Sequence, residues 1–275
     1  MPEGHTIHRI ARDHTALLAG GALRVSSPQG RFDDGAARLD GRSLARIDAH
    51  GKHLLYRFDG TLTLHVHLGL FGKYRVHRAA GSDAPAERAG IEPPDPVGAV
   101  RLRLSGAAAT IDLAGPTACE LFDPHDEDAL LARLGPDPLR NDADPARFTD
   151  RVARSRQAIG LLLMDQSVVA GVGNVFRAEA LFVNGIHPEQ PGRSLLAEQR
   201  DALWDTVRSM LRQGVKDNRI VTVDPKEVGI ARSRITRRDA TYVYKREMCL
   251  RCGSPIQRWA MGGRTCYACP GCQPR

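Results

Sequence analysis

Five of the six cysteines fall within the last 27 residues, as Cys249, Cys252, Cys266, Cys269 and Cys272. Clustered thiols in a chain without a secretion signal argue for a metal site rather than disulfides. Two CxxC pairs, Cys249/Cys252 and Cys269/Cys272, stand sixteen residues apart, inside the roughly 15–20-residue gap of a four-cysteine zinc site. Each CxxC turn aims two thiolates at one tetrahedral ion. The alternative set that uses Cys266 leaves a gap of 13 residues. One structural Zn2+ on Cys249, Cys252, Cys269 and Cys272 is expected, with Cys266 and Cys119 as ordinary thiols.

A second constellation runs from Met164 to Asn174, where Gly171 and Gly173 sit in a turn between two helical patterns. Backbone amides at the start of the second helix, with Asn174 as its cap, would form an anion site suited to phosphate. Such connections are common, and this one gains weight from the charge downstream. The chain carries 39 Lys+Arg against 32 Asp+Glu; from Trp204 onward the balance is 15 against 6, and before it 24 against 26. A quarter of the chain holds all the excess positive charge, as a polyanion-binding face or a solvated basic surface would.

Several kinds of element must position these groups. Residues 3–19 read as an amphipathic helix, with Ile7, Ile10, His14, Leu17 and Leu18 on one stripe and Gly20-Gly21 at its end. From Leu23 to Leu121 the period changes to two, with strands expected at 52–58, 61–67, 74–77, 100–104 and 110–113 and turns at Asp59-Gly60 and Ser105-Gly106. This is a sandwich or barrel pattern, interrupted over 79–96 by a stretch rich in Ala, Gly and Pro that reads as a mobile loop. Helices are expected at 126–134, 145–152, 156–166, 174–184 and 194–213, followed by an irregular basic segment and the cysteine ribbon. The acidic stretch from Pro136 marks a boundary. The class is α+β, with domains at 1–135, 136–240 and 241–275.

The 275 residues and a hydrophobic content of 42% are those of a globular chain of one or two large domains. The longest apolar run, 158–164, stops at Asp165, short of the ~18 residues a membrane helix needs. The first fourteen residues lack the apolar centre of a secretion signal. A soluble, cytoplasmic protein is expected.

Four motifs in order, Met1-Pro2-Glu3-Gly4, Gly51-Lys52, Asp165-Gln166 through Gly171-Val172-Gly173-Asn174, and Cys269-Pro270-Gly271-Cys272-Gln273, resemble the bacterial formamidopyrimidine-DNA glycosylase and endonuclease VIII family from end to end. The resemblance implies an N-terminal helix with an antiparallel β-sandwich, then a helix-two-turn-helix domain ending in a zinc-ribbon hairpin. It also implies a bifunctional DNA glycosylase and abasic-site lyase acting in base excision repair. Once Met1 is removed, Pro2 would present a secondary amine with a pKa near the ~8 of an α-amino group. Its attack on the sugar C1′ would expel the damaged base and leave an iminium that permits β/δ-elimination. Glu3 matches the family's acid/base, although a glutamate in a first helical turn is ordinarily only a favourable dipole partner.

Lys52 matches the hairpin lysine that holds a phosphate, and the chain has only five lysines to place there. Arg264 matches the arginine at the ribbon tip that grips a phosphate; Arg258 is the alternative contact. Leu70 and Phe71, in His67-Leu68-Gly69-Leu70-Phe71-Gly72, match the loop that fills the void left by an extruded base, or form a buried hairpin pair. Gly173 and Asn174 complete the expected DNA-binding set. His5 and Thr6 depart from the Pro-Glu of many relatives, which leaves the family's second early glutamate unmatched.

Two further features bear on the lesion. The stretch between Gly214 and Cys249 lacks a glycine- and threonine-rich capping loop, and MPEGH with Gly51-Lys52 leans to the endonuclease VIII branch, whose members excise oxidised pyrimidines. Other readings are an 8-oxoguanine/formamidopyrimidine glycosylase, a non-catalytic damaged-DNA binding protein on the same scaffold, and an RNA-associated ribbon protein. The partner implied is damaged DNA, bound by a monomer with no membrane and no small-molecule cofactor.

Overall fold

The computed structural model describes residues 2–78 and 94–275, so most of the stretch expected as a mobile loop lies outside the described residues. Two compact units emerge: Pro2 with residues 7–132, and Glu3–Thr6 with Arg133–Arg275. Helix α1 (Gly4–Leu18) therefore begins in the second unit and continues in the first.

In the first unit, α1 leads into β1 (Arg24–Ser26), α2 (Asp33–Leu39), β2 (Leu44–His50), β3 (His53–Phe58), β4 (Thr63–His67), β5 (Lys73–Arg78), β6 (Val100–Ser105), β7 (Ala109–Ala114), β8 (Ala118–Phe122) and α3 (Pro124–Arg133). The strands form two four-stranded antiparallel sheets, β1-β6-β7-β5 and β2-β3-β4-β8. Alternation sorts their side chains by face. Leu54, Tyr56, Leu64 and Val66 of one sheet join Leu102, Leu104, Ile111 and Leu113 of the other in one buried cluster, with Ile7 and Leu18 of α1. The opposite face of the β2-β3-β4-β8 sheet is polar. There Arg57 donates to Asp48 and, at 2.7 Å, to Glu127 of α3, which also accepts from Thr63 at 3.0 Å.

The expected strands are present within a residue or two, and β1, α2, β2 and β8 are additional. The β2 pattern was hidden by a register shift between Leu44 and Arg46 that breaks the period of two. α2 contains Asp34-Gly35, which reads as a turn in sequence.

The second unit packs α4 (Pro145–Arg154), α5 (Ile159–Leu162), α6 (Asn174–Val183) and α7 (Ala197–Asp217) around Phe148, Leu163, Val168, Phe176, Trp204 and Leu211. The helix expected over 156–166 shrinks to the four residues of α5. Its continuation is taken by side chains that bond the backbone instead. Asp165 accepts from Ser167 N at 2.8 Å, while Gln166 donates to Met164 O and Val172 O and accepts from Gly171 N. A separate cluster of Phe182, Tyr242, Ile256 and Tyr267 underlies the terminal hairpin β9 (Gln257–Met261) and β10 (Arg264–Ala268). Among the described residues no helix is long and apolar enough to cross a membrane.

Candidate active site and nucleic-acid interface

The glycine turn before α6 is shaped around a carboxylate. Glu3 is fully buried and accepts from Gly173 N at 2.9 Å, Val175 N at 2.9 Å and Phe176 N at 3.4 Å. The unpaired amides of a helix N-terminus thus meet an anion supplied by the chain itself. Gly4 N donates to Gly171 O at 2.8 Å, stitching the start of α1 to the turn. A Cβ on Gly173 would lie 2.4 Å from Glu3 Cδ, so that position requires glycine, and one on Gly4 would make a tight contact of 3.0 Å with Gly171 Cα. Gly171 is required for its φ of 93°. The structure therefore corrects two expectations. Gly173, not Asn174, holds the cap position, and the anion on these amides is Glu3 rather than a phosphate. Pro2, directly before Glu3, is half-buried and groups with the first unit.

Asn174 faces the terminal hairpin instead. Its Nδ2 donates to Thr265 O at 3.0 Å, and its Oδ1 accepts from Arg177. Arg177, fully buried, also donates to Thr265 O at 3.1 Å and reaches Gly160 O and Met261 O at 3.5 Å. Burial lowers its pKa, and the charges of Cys266 and Glu3 oppose that. Met261 pairs with Arg264 across a Gly262-Gly263 turn with φ of 60° and 70°, the pattern of a two-residue hairpin turn that only glycine adopts without strain. The exposed Arg264 is thus carried beside the tip of a hairpin whose β10 backbone is held by Asn174 and Arg177. Tyr244 is half-buried nearby; burial raises its pKa first, and then Tyr267 and Glu3, while Arg177 and Arg264 lower it. Neither Arg177 nor Tyr244 carried a motif signal, because both are defined by partners far away in sequence.

At the hairpin's base the Sγ atoms of Cys249, Cys252, Cys269 and Cys272 lie within 4.8 Å of one another. Cys249 and Cys272 are 3.9 Å apart, and Cys252 and Cys269 3.3 Å. A Zn–S bond of about 2.3 Å places tetrahedral thiolates roughly 3.8 Å apart, so the set fits a four-coordinate metal. Cys266 is buried on β10 outside this set. Gln273 secures the tail: it accepts from Cys269 N at 3.0 Å and donates to Ile186 O at 2.8 Å.

In the first unit, Lys52 sits in the turn between β2 and β3, where Gly51 takes φ 58° and His50 pairs with His53. Leu70 and Phe71 occupy the β4–β5 connection with exposures of 48% and 83%, so they are not a buried hairpin pair. Glycines hold that loop, since a Cβ on Gly72 would meet Leu68 O at 2.3 Å and one on Gly69 would meet Thr117 Oγ1 at 1.8 Å. Glu3, Gly173, Asn174 and Arg264 thus belong to the second unit, and Lys52, Leu70 and Phe71 to the first.

The chain matches the family model of the formamidopyrimidine-DNA glycosylase N-terminal domain over residues 1–114 and that of the formamidopyrimidine-DNA glycosylase H2TH domain over 134–224. It is 45% identical to endonuclease 8 1 of Mycobacterium tuberculosis over 275 residues, covering 99% of this chain and 100% of that one. It is 31% identical to endonuclease 8 of Shigella sonnei over 282 residues, covering 99% and 100%. A solved structure of Lactococcus lactis Fpg with DNA containing an abasic site shares the fold, with a TM-score of 0.77, 24% identity and coverage of 99% and 100%.

Proposed function

On the premise that the chain belongs to the formamidopyrimidine-DNA glycosylase and endonuclease VIII family of DNA-repair enzymes, we infer that it excises oxidised bases, chiefly pyrimidines, through a covalent intermediate on Pro2. The Pro2 amine, exposed by removal of Met1, attacks C1′ of the damaged nucleotide. The base leaves, a C1′ iminium forms, and loss of a C2′ proton breaks the 3′ C–O bond to phosphate. Glu3 handles protons at the sugar and the departing base. Lys52 and Arg264 grip the flanking phosphates, and Leu70 and Phe71 fill the space left by the extruded nucleotide. Gly173 seats Glu3, and Asn174 holds the hairpin that carries Arg264. Cys249, Cys252, Cys269 and Cys272 would hold one Zn2+, which supplies rigidity to the hairpin and no chemistry.

The observation that carries this reading is the seat of Glu3. A fully buried carboxylate accepting three backbone amides is fixed directly beside Pro2. A glutamate serving only as a dipole partner of α1 has no need of such a seat at the start of another helix. The pyrimidine preference rests on the 45% relative named endonuclease 8 and on the absence of a glycine- and threonine-rich segment between Gly214 and Cys249.

Borohydride trapping on DNA containing thymine glycol or an abasic site tests the covalent step. The processed chain is expected to give a stable protein–DNA adduct, and a chain with its amine blocked by a residue before Pro2 is expected to give neither adduct nor strand cleavage. Trapping at the wild-type level in the blocked chain would transfer the role to a lysine, Lys52 first. Binding without any trapping would favour a non-catalytic damage-binding protein.

A further inference from the structure

The function proposed above uses one cation of the terminal hairpin, Arg264. From residue 231 to 264 the sequence holds nine Lys+Arg against two Asp+Glu. Among the described residues only two of the nine are committed to acids, Arg232 to Asp217 at 2.7 Å and Arg251 to Glu227 at 3.0 Å. Three of the others are linked in a row through backbone carbonyls. Arg258 of β9 donates from Nη2 to Arg246 O at 2.6 Å, and Arg246 donates from Nη1 to Arg238 O. Arg238 and Arg258 are exposed and Arg246 is half-buried. None of the three forms an ion pair among the described residues. Of the two acids, Asp239 accepts from the Thr236 hydroxyl at 2.7 Å, and Glu247 is exposed.

The row stands on fixed backbone. Fully buried Glu179 accepts from Tyr242 N, Val243 N and Tyr244 N, just before Arg246. Arg219 donates to Ile235 O at 2.6 Å and Arg232 O at 2.7 Å, and Thr222 N donates to Ala240 O at 2.8 Å, which closes the loop that carries Arg238. Between these supports Lys245 takes φ 57°, a left-handed conformation that glycine adopts without strain. A lysine kept there adds an ammonium to the row, 5.7 Å from the centre of the Tyr244 ring.

We propose that Arg238, Arg246 and Arg258 form a track for the phosphate backbone of DNA that continues from Arg264. The proposal rests on the reading that Arg264 grips a phosphate. Arg258 lies opposite Tyr267 in the hairpin register, so the two share a face. The Tyr267 ring meets Tyr244 edge-on at 5.1 Å, and Tyr244, whose pKa burial raises first, is lowered in part by Arg264. Arg264 and the Arg258 face therefore belong to one electrostatic surface. Arg258 is three residues along β9 from Met261, the partner of Arg264. At about 3.3 Å per residue that is roughly 10 Å, close to three base-pair steps of about 3.4 Å. A guanidinium has five N–H donors in a planar fork. With one donor fixed on a carbonyl, the others are already aimed when a phosphate arrives, and less side-chain freedom is lost on binding. Cations repeated in a row match a linear polyanion better than a single carboxylate partner.

Fluorescence anisotropy with a duplex carrying a tetrahydrofuran abasic analogue, and with its undamaged counterpart, tests the track between 50 and 200 mM salt. Arg238→Gln, Arg246→Gln and Arg258→Gln are each expected to lower the slope of log affinity against log salt by about 0.9. Each variant's deficit then shrinks about 3.5-fold across that range. The change is expected to be equal on both duplexes, because phosphate contacts carry no sequence information. Arg246→Lys keeps the charge without the fork, and is expected to keep the slope while binding more weakly at every salt concentration. Circular dichroism matching the wild type confirms that each variant is folded. Unchanged slopes in all three glutamine variants, with a lowered slope in Arg264→Gln, overturn the track and leave Arg264 as a phosphate ligand. An unchanged slope in Arg264→Gln as well overturns the reading beneath it.

Discussion

Glu3 shows how much of a site can be carried by one residue and its backbone partners. Its two carboxylate oxygens are shared among amides about 170 residues away in sequence, and the fit leaves no room for a side chain at Gly173. Gly173→Ala would push a methyl group into the Glu3 carboxyl and displace it. Base excision is expected to fall by about 10²–10³-fold, the scale of a misplaced acid/base group, with little change in circular dichroism. Gly21→Ala is the control, since nothing lies within 4 Å of a Cβ there. Full activity in Gly173→Ala would remove Glu3 from the mechanism. The proposal of Pro2 and Glu3 as the reacting pair comes from their position and motif in the sequence. The seat of Glu3 was not legible there, because a helix N-terminus built from Gly171 and Gly173 announces an anion without naming it, and the anion was an intramolecular carboxylate.

Among the elements, the β9–β10 hairpin has the clearest division of labour. Its base carries the cysteine set, β10 is pinned through Thr265 O by Asn174 and Arg177, and its Gly262-Gly263 turn presents Arg264. A structural zinc site contributes folding free energy outright. Removal of the metal by a chelator is expected to abolish hydrogen-exchange protection over 257–268 while leaving β3 and β4 protected, and to weaken DNA binding. Cys266→Ser is expected to retain one metal per chain. Loss of stoichiometric zinc in that variant would show that the spacing argument chose the wrong thiols. The hairpin and its cysteines were legible because CxxC spacing is a local signal. Long periodic helices were legible for the same reason, α6 and α7 among them. β2 and α5 were not, since a register shift interrupts one and side-chain-to-backbone bonds from Asp165 and Gln166 end the run expected of the other.

At the scale of the whole molecule, each unit buries a histidine whose pKa is lowered chiefly by burial. His14, in the first unit, bonds Tyr56 OH at 2.8 Å, and Tyr56 bonds Tyr74 OH at 2.9 Å. His5, in the second, meets Phe176 edge-on at 5.2 Å and leaves its Nδ1 buried without a partner. Burial lowers both pKa values from 6.5 to about 4, the positive N-terminus adding to the effect at His5 and Asp13 opposing it at His14. A depressed histidine favours the fold above its unfolded pKa and withdraws that support as pH falls toward the folded value. Both units should therefore lose stability through one window, from about pH 6.5 down to about 4, by on the order of 3 kcal/mol for each histidine. Glu179 opposes part of this loss, because burial raises its pKa despite the bonds it accepts from Thr222 and from Tyr242, Val243 and Tyr244 N. Urea unfolding at pH 7.5, 6 and 5 reads the balance. The midpoint is expected to fall at each step. His5→Phe, which fills the same space without a titrating ring, is expected to lessen the second unit's loss while the first unit weakens as before. Part of the second unit's loss is kept by the buried His187, whose pKa burial also lowers. A midpoint that stays flat from pH 7.5 to 5 in the wild-type chain would mean that neither histidine must be neutral for its unit to fold.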